Sequence, residues 1–411
     1  MISVGELSIE RARELDAADD LAMFRDRFVF TDPKLIYLNG NSLGALPKKT
    51  QQRLHEVIDA EWGQGLGRSW DHWVDLPQQA GEAVAALIGA APNQSIVTDN
   101  TTTNLYKLAI AALEARPGRH VIVTDDDNFP SDRYILEGIA SARTLEFRKV
   151  STDFSEGVDP DLLRRAVDDD TALVSLSHVS YRSGALADMA LITEIAHQSG
   201  ALIMWDLSHS VGAVPIHLDD CDVDLAVGCT YKYLNAGPGA PAFLYVSARL
   251  RSVLKQPIWG WFSQRDQFAM GQEYRPAASM AKFMTGTPNI PGSVAVVEGA
   301  RLLQEAGMER IRVKSEQLTA YLEVLADQWL VPLGCELATP REPDRRGAHL
   351  TFAHPEAESI VAELAKADIV ADFRAPGRFR FGMSPLTTRF ADVHNAAAAT
   401  RDLLVRQDSN G

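Results

Sequence analysis

Short, nearly continuous apolar runs alternate with longer amphipathic stretches through the first 250 residues of the chain. Uninterrupted apolar runs suit strands that are buried on both faces, and the stretches between them carry apolar residues at helical spacing. This alternation predicts an α/β fold with a mostly parallel sheet that is covered by helices. We predict strands at 95–98, 120–124, 172–177, 201–205, 225–229 and 241–246, and helices at 101–115, 131–142, 159–167 and 190–198.

The pattern differs at both ends of the chain. Near the N-terminus it predicts a charged helix at 7–28, then a loop rich in Gly and Asn, then a helix at 48–62. Near the C-terminus it predicts a long helix from 292 to 328, strands at 350–352 and 378–382, a helix at 356–367 and a frayed tail at 406–411. We therefore predict an N-terminal segment (1–47), a large ligand-binding domain (48–295) and a small α+β domain (296–411).

Composition narrows the class of protein. The 411 residues carry a net charge of −15, which argues against a nucleic-acid groove, because such a groove needs a basic surface. Residues 1–6 lead into charged sequence, and no stretch is apolar enough to span a membrane, so a cytoplasmic protein is expected. Three cysteines, Cys221, Cys229 and Cys335, match no metal or redox motif, and we interpret the first two as buried small hydrophobic residues.

Polar residues follow the predicted strands, at the edge where open parallel sheets bind ligands. Thr101 and Thr102 come after strand 95–98 and begin a helix, where they suit either a phosphate group or plain helix capping. Phe129, Pro130, Ser131 and Asp132 follow the next strand and suit either an aromatic ring or a solvated turn. Ser177 ends the third strand, and His178 after it fits a structural role equally well.

The fourth and fifth strand ends carry the most informative pair. Asp206 directly follows an apolar run, where a carboxylate is costly unless it is paired, with a helix cap or salt bridge as the simpler alternative. Lys232 follows the next strand, with Tyr231 before it as a phosphate ligand or proton donor, and His209 lies between the two. A lysine that can form a Schiff base and a carboxylate that keeps a pyridine nitrogen protonated together indicate pyridoxal phosphate (PLP).

With these residues in view, nearly the whole chain, about 20–405, resembles the kynureninases. This family belongs to the class V branch of the fold-type I PLP enzymes, in the aspartate-aminotransferase superfamily, and the likeness is to its bacterial type. The resemblance lies in the segments 37–44, 61–70, 128–132, 205–215, 228–235, 260–262 and 378–382. It implies a PLP-dependent transferase fold and the hydrolysis of L-kynurenine to anthranilate and L-alanine in tryptophan degradation, with 3-hydroxykynurenine left open as a substrate.

The resemblance also implies individual roles. Lys232 would carry the cofactor, Asp206 would face its ring nitrogen, and Tyr231 would act as a general acid. Arg380 would bind the substrate carboxylate through two parallel hydrogen bonds, and Trp70 would pack near the substrate ring. Trp261 and Thr287, the latter with Asn289 as the alternative, would complete the phosphate site from the neighbouring subunit of a homodimer. The remaining cofactor contacts would come from Thr101, Thr102, Phe129, Pro130, Ser131, Asp132, Ser177 and His209.

Two other functions compete with this interpretation. A cysteine desulfurase or selenocysteine lyase of the same fold would need a nucleophilic cysteine late in the chain, where Cys335 is the candidate. The second alternative is a non-catalytic PLP-fold binding protein. The presence of Lys232, Asp206 and Arg380 together argues against it, because a non-catalytic scaffold need not keep all three.

Overall fold

The fold comes from a computed structural model in which residues 7–408 are described. The N-terminal stretch 1–6, for which the sequence predicts no membrane or leader segment, lies outside the described residues, as do residues 409–411 of the predicted frayed tail. No helix within 7–408 is long and apolar enough to cross a membrane.

Thirteen strands form three sheets in the described chain. The strands are β1 (Ile36–Tyr37), β2 (Ser95–Val97), β3 (Val121–Asp125), β4 (Glu146–Val150), β5 (Thr171–Ser177), β6 (Leu202–Asp206), β7 (Leu225–Gly228), β8 (Phe243–Val246), β9 (Glu336–Leu337), β10 (His349–Ala353), β11 (Ile369–Val370), β12 (Asp372–Arg374) and β13 (Arg378–Gly382).

The helices are α1 (Ile9–Ala17), α2 (Lys48–Glu56), α3 (Trp70–Trp73), α4 (Leu76–Ala85), α5 (Thr101–Glu114), α6 (Pro130–Arg143), α7 (Pro160–Ala166), α8 (Met189–Gln198), α9 (Ala248–Arg251), α10 (Ile290–Ala306), α11 (Met308–Trp329), α12 (Ala357–Lys366) and α13 (Phe390–Asp408). Short 3-10 turns and one π-helical segment, Val57–Gly65, complete the described chain.

The large sheet has the order β2-β8-β7-β6-β5-β3-β4 and carries a hydrophobic core on each face. Five neighbouring strands, β7, β6, β5, β3 and β4, are parallel, which confirms the mostly parallel α/β fold. β8 is antiparallel to both of its neighbours, which is why the sheet is mostly and not wholly parallel. The loop between β7 and β8 contains no helix, and a parallel connection normally needs one to cross the face of the sheet.

One strand of the large sheet, β4, was not predicted, and neither were the short strands β1, β9, β11 and β12 outside that sheet. β4 alternates charged and apolar residues, its side chains are largely accessible, and it forms the edge of the sheet beside β3. Charged residues on an edge strand discourage pairing with another chain. Because β4 carries such residues, its segment lacks the apolar run that marks a central strand.

Three predicted helices are shorter than the sequence suggests. The helix predicted at 7–28 ends at Ala17, because Asp19 accepts the amide of Leu21 at 2.9 Å and turns the chain into a 3-10 segment. The helix predicted at 48–62 changes to a π-helix after Glu56. The helix predicted at 292–328 is two helices, α10 and α11, separated by Gly307 with φ +82°.

A smaller antiparallel sheet, in the order β12-β13-β10-β9, packs with α11, α12 and α13 around a third core. Ala12 and Leu38 from the N-terminal segment join this core. The division of the chain at residue 295 stays a prediction. It falls inside α10, whose buried residues Val296, Ala300 and Leu303 belong to the core of the large sheet.

Candidate active site

The carboxyl ends of the parallel strands meet at one edge of the large sheet, where Ser177 of β5 pairs in register with Asp206 of β6. A cavity of about 160 Å³ opens there. It brings together ten of the predicted cofactor residues: Thr101, Thr102, Phe129, Ser131, Asp132, Ser177, Asp206, His209, Tyr231 and Lys232. A larger cavity of about 410 Å³ shares Ser177 but lacks the lysine, and we place the chemistry in the smaller one.

Lys232 lies in the turn after β7 and is buried. Its Nζ is 2.8 Å from Nε2 of His209 and 5.7 Å from the ring centre of Phe129. Burial first, and then the charge of Lys232, lower the pKa of His209 well below its usual value, so His209 is a neutral acceptor for the ammonium N–H. The lysine is thereby held against the aromatic wall of the cavity.

Two carboxyl groups share the floor of the cavity. Asp206 accepts the amide of Ser208 at 2.8 Å, which fixes the orientation of its carboxyl group. Asp132, the first-turn acid of α6, is fully enclosed, and burial followed by the charge of Asp206 raises the pKa of Asp132 well above its usual value. Burial and the neighbouring carboxyl thus both favour the protonated form of Asp132.

The opposite end of the cavity offers groups that suit an anion. Thr101 and Thr102 open the 14-residue helix α5, whose N-cap Asn100 accepts the amide of Thr103 at 2.9 Å. A helix N-terminus attracts negative charge through its free amides and its dipole. Across the cavity, Ser177 donates its hydroxyl to Oδ1 of Asn128 at 2.7 Å, which fixes this part of the wall.

Tyr231 stands beside the lysine with its side chain half-buried. Burial, followed by the neighbouring Cys229, raises the pKa of the Tyr231 hydroxyl above its ordinary value. The phenol therefore stays protonated at neutral pH and remains a hydrogen-bond and proton donor.

Arg380 lies on β13 and is almost completely buried. Its Nη2 donates to Oδ2 of Asp372 at 2.5 Å, and its Nη1 donates to the carbonyl of Tyr181. Tyr181 in turn lines the cavity and packs its ring edge-on against Phe129, with ring centres 5.2 Å apart. The guanidinium is thus fixed next to the cavity, although it does not itself form part of the wall.

The segment 37–44 connects Arg380 to the lysine turn. Gly40 donates its amide to the carbonyl of Gly382 at 3.0 Å, at the end of β13. Gly44, at the other end of the segment, donates its amide to the carbonyl of Tyr231 at 2.8 Å. This explains why a Gly- and Asn-rich loop far from Lys232 in sequence carries part of the resemblance.

Besides Arg380, four of the predicted residues lie outside the cavity wall in the described chain. Trp70 packs on Trp73 and Phe262, and Pro130 begins α6. Trp261 is 43% exposed and donates its indole N–H to the carbonyl of Gln267 at 2.8 Å. Thr287 is also exposed, whereas the alternative residue Asn289 caps α10 by accepting the amide of Gly292 at 2.9 Å.

His178 and the cysteines have structural settings. His178 is buried against Trp205, with ring centres 5.8 Å apart, and burial lowers its pKa to about 3. Cys229 and Cys335 are buried, and Cys221 is partly buried. Burial raises the pKa of the Cys335 thiol to about 12, so this thiol is a poor nucleophile at neutral pH.

Two neighbours of the site were missed from the sequence. Asp372 pairs in register with Arg380, and the hairpin signal around Pro376 and Gly377 would have placed the two opposite each other. His349 on β10 is buried, its ring centre lies 5.6 Å from that of His209, and both of its ring nitrogens lack a hydrogen-bond partner among the described side chains and backbone. No local pattern in the sequence marks this histidine.

The cavity fits a phosphorylated aromatic aldehyde. Oδ2 of Asp132 and Nδ1 of His209 are buried and have no partner in the described chain, so the site has polar groups to spare for a ligand. Phe129 offers a ring surface, Lys232 an amine, and the start of α5 a place for phosphate. These are the groups that PLP requires.

Comparisons with known proteins agree with this geometry. The family model for class-V aminotransferases matches residues 46–371. The chain is 42% identical to a kynureninase of Pseudomonas fluorescens over 400 residues, covering 96% of this chain and 94% of the relative, and 41% identical to a kynureninase of Burkholderia mallei over 403 residues, covering 96% and 95%.

Among solved structures, an apo cysteine desulfurase from Thermococcus onnurineus NA1 superposes with a TM-score of 0.82 at 19% identity, covering 93% of this chain and 98% of that one. Such low identity shows the shared fold alone. The family model and the identity over almost the full length go further, and they show that this chain belongs to the class-V aminotransferases and, within them, to the PLP-dependent kynureninase family.

Proposed function

We propose that this enzyme hydrolyses L-kynurenine to anthranilate and L-alanine. In this reaction the bond between Cβ and Cγ breaks, the oxygen of water ends in the anthranilate carboxylate, and a proton is added to Cβ. The single observation that carries the proposal is the meeting of Lys232, Asp206 and His209 in one cavity, in a chain 42% identical to a kynureninase.

When bound, PLP supplies an electron sink for negative charge at the substrate α-carbon. Lys232 would hold the cofactor through its Nζ, and the same amine, when free, would take the α-proton of the substrate. His209, as the neutral neighbour at 2.8 Å, keeps this amine directed into the cavity. Asp206 would be the carboxylate that keeps a proton on the ring nitrogen, and the raised pKa of Asp132 beside it favours the uncharged form of that second carboxyl.

Two residues handle the substrate itself. Arg380, fixed by Asp372, holds the α-carboxylate through its planar fork. Tyr231 remains protonated because of its raised pKa and donates a proton to the product carbon as the bond breaks.

The enzyme acts as a homodimer with its active site at the subunit interface. Trp261 and Thr287 have exposed side chains and lie outside the cavity of their own chain, which supports a role at the cavity of a second copy. Thr287 is the better candidate for the phosphate site, because Asn289 already caps a helix. Trp70 packs on Phe262, the neighbour of Trp261 in the chain, which supports a role for Trp70 beside the substrate ring at the same interface.

The test is Lys232→Ala, assayed with L-kynurenine by the fluorescence of anthranilate. We expect the wild type to bind the cofactor covalently after borohydride reduction and to release anthranilate. The Lys232→Ala variant should fold, but it should neither bind the cofactor covalently nor release anthranilate. Substantial turnover by Lys232→Ala would refute the assignment.

Cysteine desulfuration is the rival that shares the fold. It requires an accessible thiolate, but Cys335 is buried and burial raises its pKa to about 12. Release of sulfide from L-cysteine, with no anthranilate from L-kynurenine, would favour the rival and leave only the PLP fold in place.

A further inference from the structure

Four lysines are buried in the described chain, and three of them have an evident reason to be there. Lys107 pairs with Asp99 at 2.6 Å, and Lys314 pairs with Asp19 at 2.5 Å. Lys232 lies in the active site. The fourth, Lys282, has no carboxylate partner among residues 7–408.

Lys282 is surrounded by positive charge. Its Nζ donates to the carbonyl of Arg251 at 2.5 Å, which uses one of its three N–H groups. Burial, then the charges of Arg251 and Lys255, lower its pKa. Neither Arg251 nor Lys255 forms an ion pair within the described residues. The Phe283 ring, whose centre is 5.5 Å from Nζ, is its other neighbour, and both charged groups beside it are cations. A buried ammonium in such surroundings is costly, so this position favours an anion.

Lys255 and Lys282 line a cavity of about 300 Å³ with mostly apolar walls. Trp259 and Tyr274 are stacked there, with ring centres 4.7 Å apart and planes 16° apart. The Tyr274 hydroxyl is 3.0 Å from the hydroxyl of Ser263, which holds the tyrosine in place. The cavity therefore pairs flat apolar surfaces with two ammonium groups.

We propose that this cavity is a second ligand site, and that it binds a single-ring aromatic carboxylate between the stacked rings and the two lysines. A carboxylate satisfies the free N–H groups of Lys282, and a flat ring covers the aromatic and apolar wall. None of the cavity's residues lines the Lys232 cavity, so the two sites are separate. The second site goes beyond the proposed reaction, because it does not depend on which substrate the Lys232 cavity binds.

The test is a calorimetric titration of the holoenzyme with benzoate, in the wild type, Lys282→Met and Lys282→Arg. Benzoate also suits the carboxylate-binding group proposed at the catalytic cavity. The result that counts is therefore the difference in benzoate binding between the wild type and the Lys282 variants. Loss of a charged hydrogen-bonded partner is expected to weaken the second site about tenfold or more. Lys282→Arg should keep the site, and Lys34→Met, at an exposed lysine, should bind benzoate as the wild type does.

Two probes separate charge from shape. Benzyl alcohol has the ring without the charge, and acetate has the charge without the ring, and both should bind far more weakly than benzoate. The kcat and KM of Lys282→Met for kynurenine should match the wild type, which distinguishes this site from the catalytic one. If Lys282→Met does not fold, Lys255→Met at the exposed rim replaces it.

Three results would overturn the proposal. Identical benzoate titrations for wild type and Lys282→Met would show that no anion binds there. Equal binding of acetate and benzoate would remove the aromatic class of ligand. A Lys282→Met protein that sediments as a monomer while the wild type is a dimer would assign the cavity to contact with a second copy.

Discussion

The α-carbon of Gly44 lies directly against the backbone carbonyl of Lys232. A Cβ at position 44 would stand 2.1 Å from that carbonyl oxygen, a distance that real atoms do not tolerate. The loop 37–44 therefore fixes the position of the lysine turn, and through Gly40 and Gly382 it connects that turn to the strand of Arg380. This loop therefore connects Lys232, the proposed cofactor lysine, with Arg380, the proposed substrate clamp.

Gly44→Ala should therefore damage catalysis without removing any catalytic group. The methyl group forces the loop or the lysine turn to move, at a cost of about 1–3 kcal/mol in stability. We expect a lower kcat and incomplete cofactor attachment, measured from anthranilate release and the cofactor absorbance. Gly138→Ala is the matched control, because its added Cβ would meet no atom within 4 Å. Equal activity of both variants and the wild type would show that the loop does not position Lys232.

The two carboxyl groups on the cavity floor should respond differently to the same substitution. Asp206→Asn removes the charge that keeps the ring nitrogen protonated, and we expect kcat to fall about a hundredfold, corresponding to ~3 kcal/mol. Asp132→Asn replaces a carboxyl whose raised pKa already favours its neutral form, so kcat should fall far less. Both rates are measured with saturating PLP, after cofactor binding has been verified for each variant. Equal losses would contradict the assignment of the charge to Asp206.

The substrate clamp can be tested on Arg380 and on the residue that holds it. Arg380→Lys keeps the charge but loses one of two parallel hydrogen bonds, so the KM for kynurenine should rise about tenfold or more while PLP affinity stays the same. Asp372→Asn should raise KM in the same direction but less, since Arg380 keeps its bond to the carbonyl of Tyr181. An unchanged KM in Arg380→Lys would move the clamp elsewhere, with Arg374, which also pairs with Asp372, as the next candidate.

The strand ends could be predicted because each apolar run stops at a polar residue, and parallel strands bring those residues together. Ser177, Asp206 and Lys232 meet for this reason. The Asp132–Asp206 pair and the Lys232–His209 contact could not be foreseen, because they depend on side-chain positions across different loops. Lys282 is a similar case, because its burial beside Arg251 and Lys255 becomes visible only after folding.

Asp125, at the end of β3, gives the enzyme a distinctive pH dependence of stability. Burial, followed by the charge of Asp127, raises the pKa of Asp125 from 3.8 to about 7. The folded state thus binds this proton more tightly than the unfolded state does, so stability falls as the pH rises from about 4 through 7. Asp125→Asn stays neutral and can still accept the amide of Asp127, so the variant should become more stable than the wild type above pH 7. The gain is at most on the order of 4 kcal/mol, and it should vanish near pH 4.

Urea unfolding of both apoproteins from pH 4 to 8 measures the difference, with Asp169→Asn at an exposed position as the control. Equal free energies of unfolding for the wild type and Asp125→Asn from pH 4 to 8 would show that Asp125 ionises normally in the folded protein.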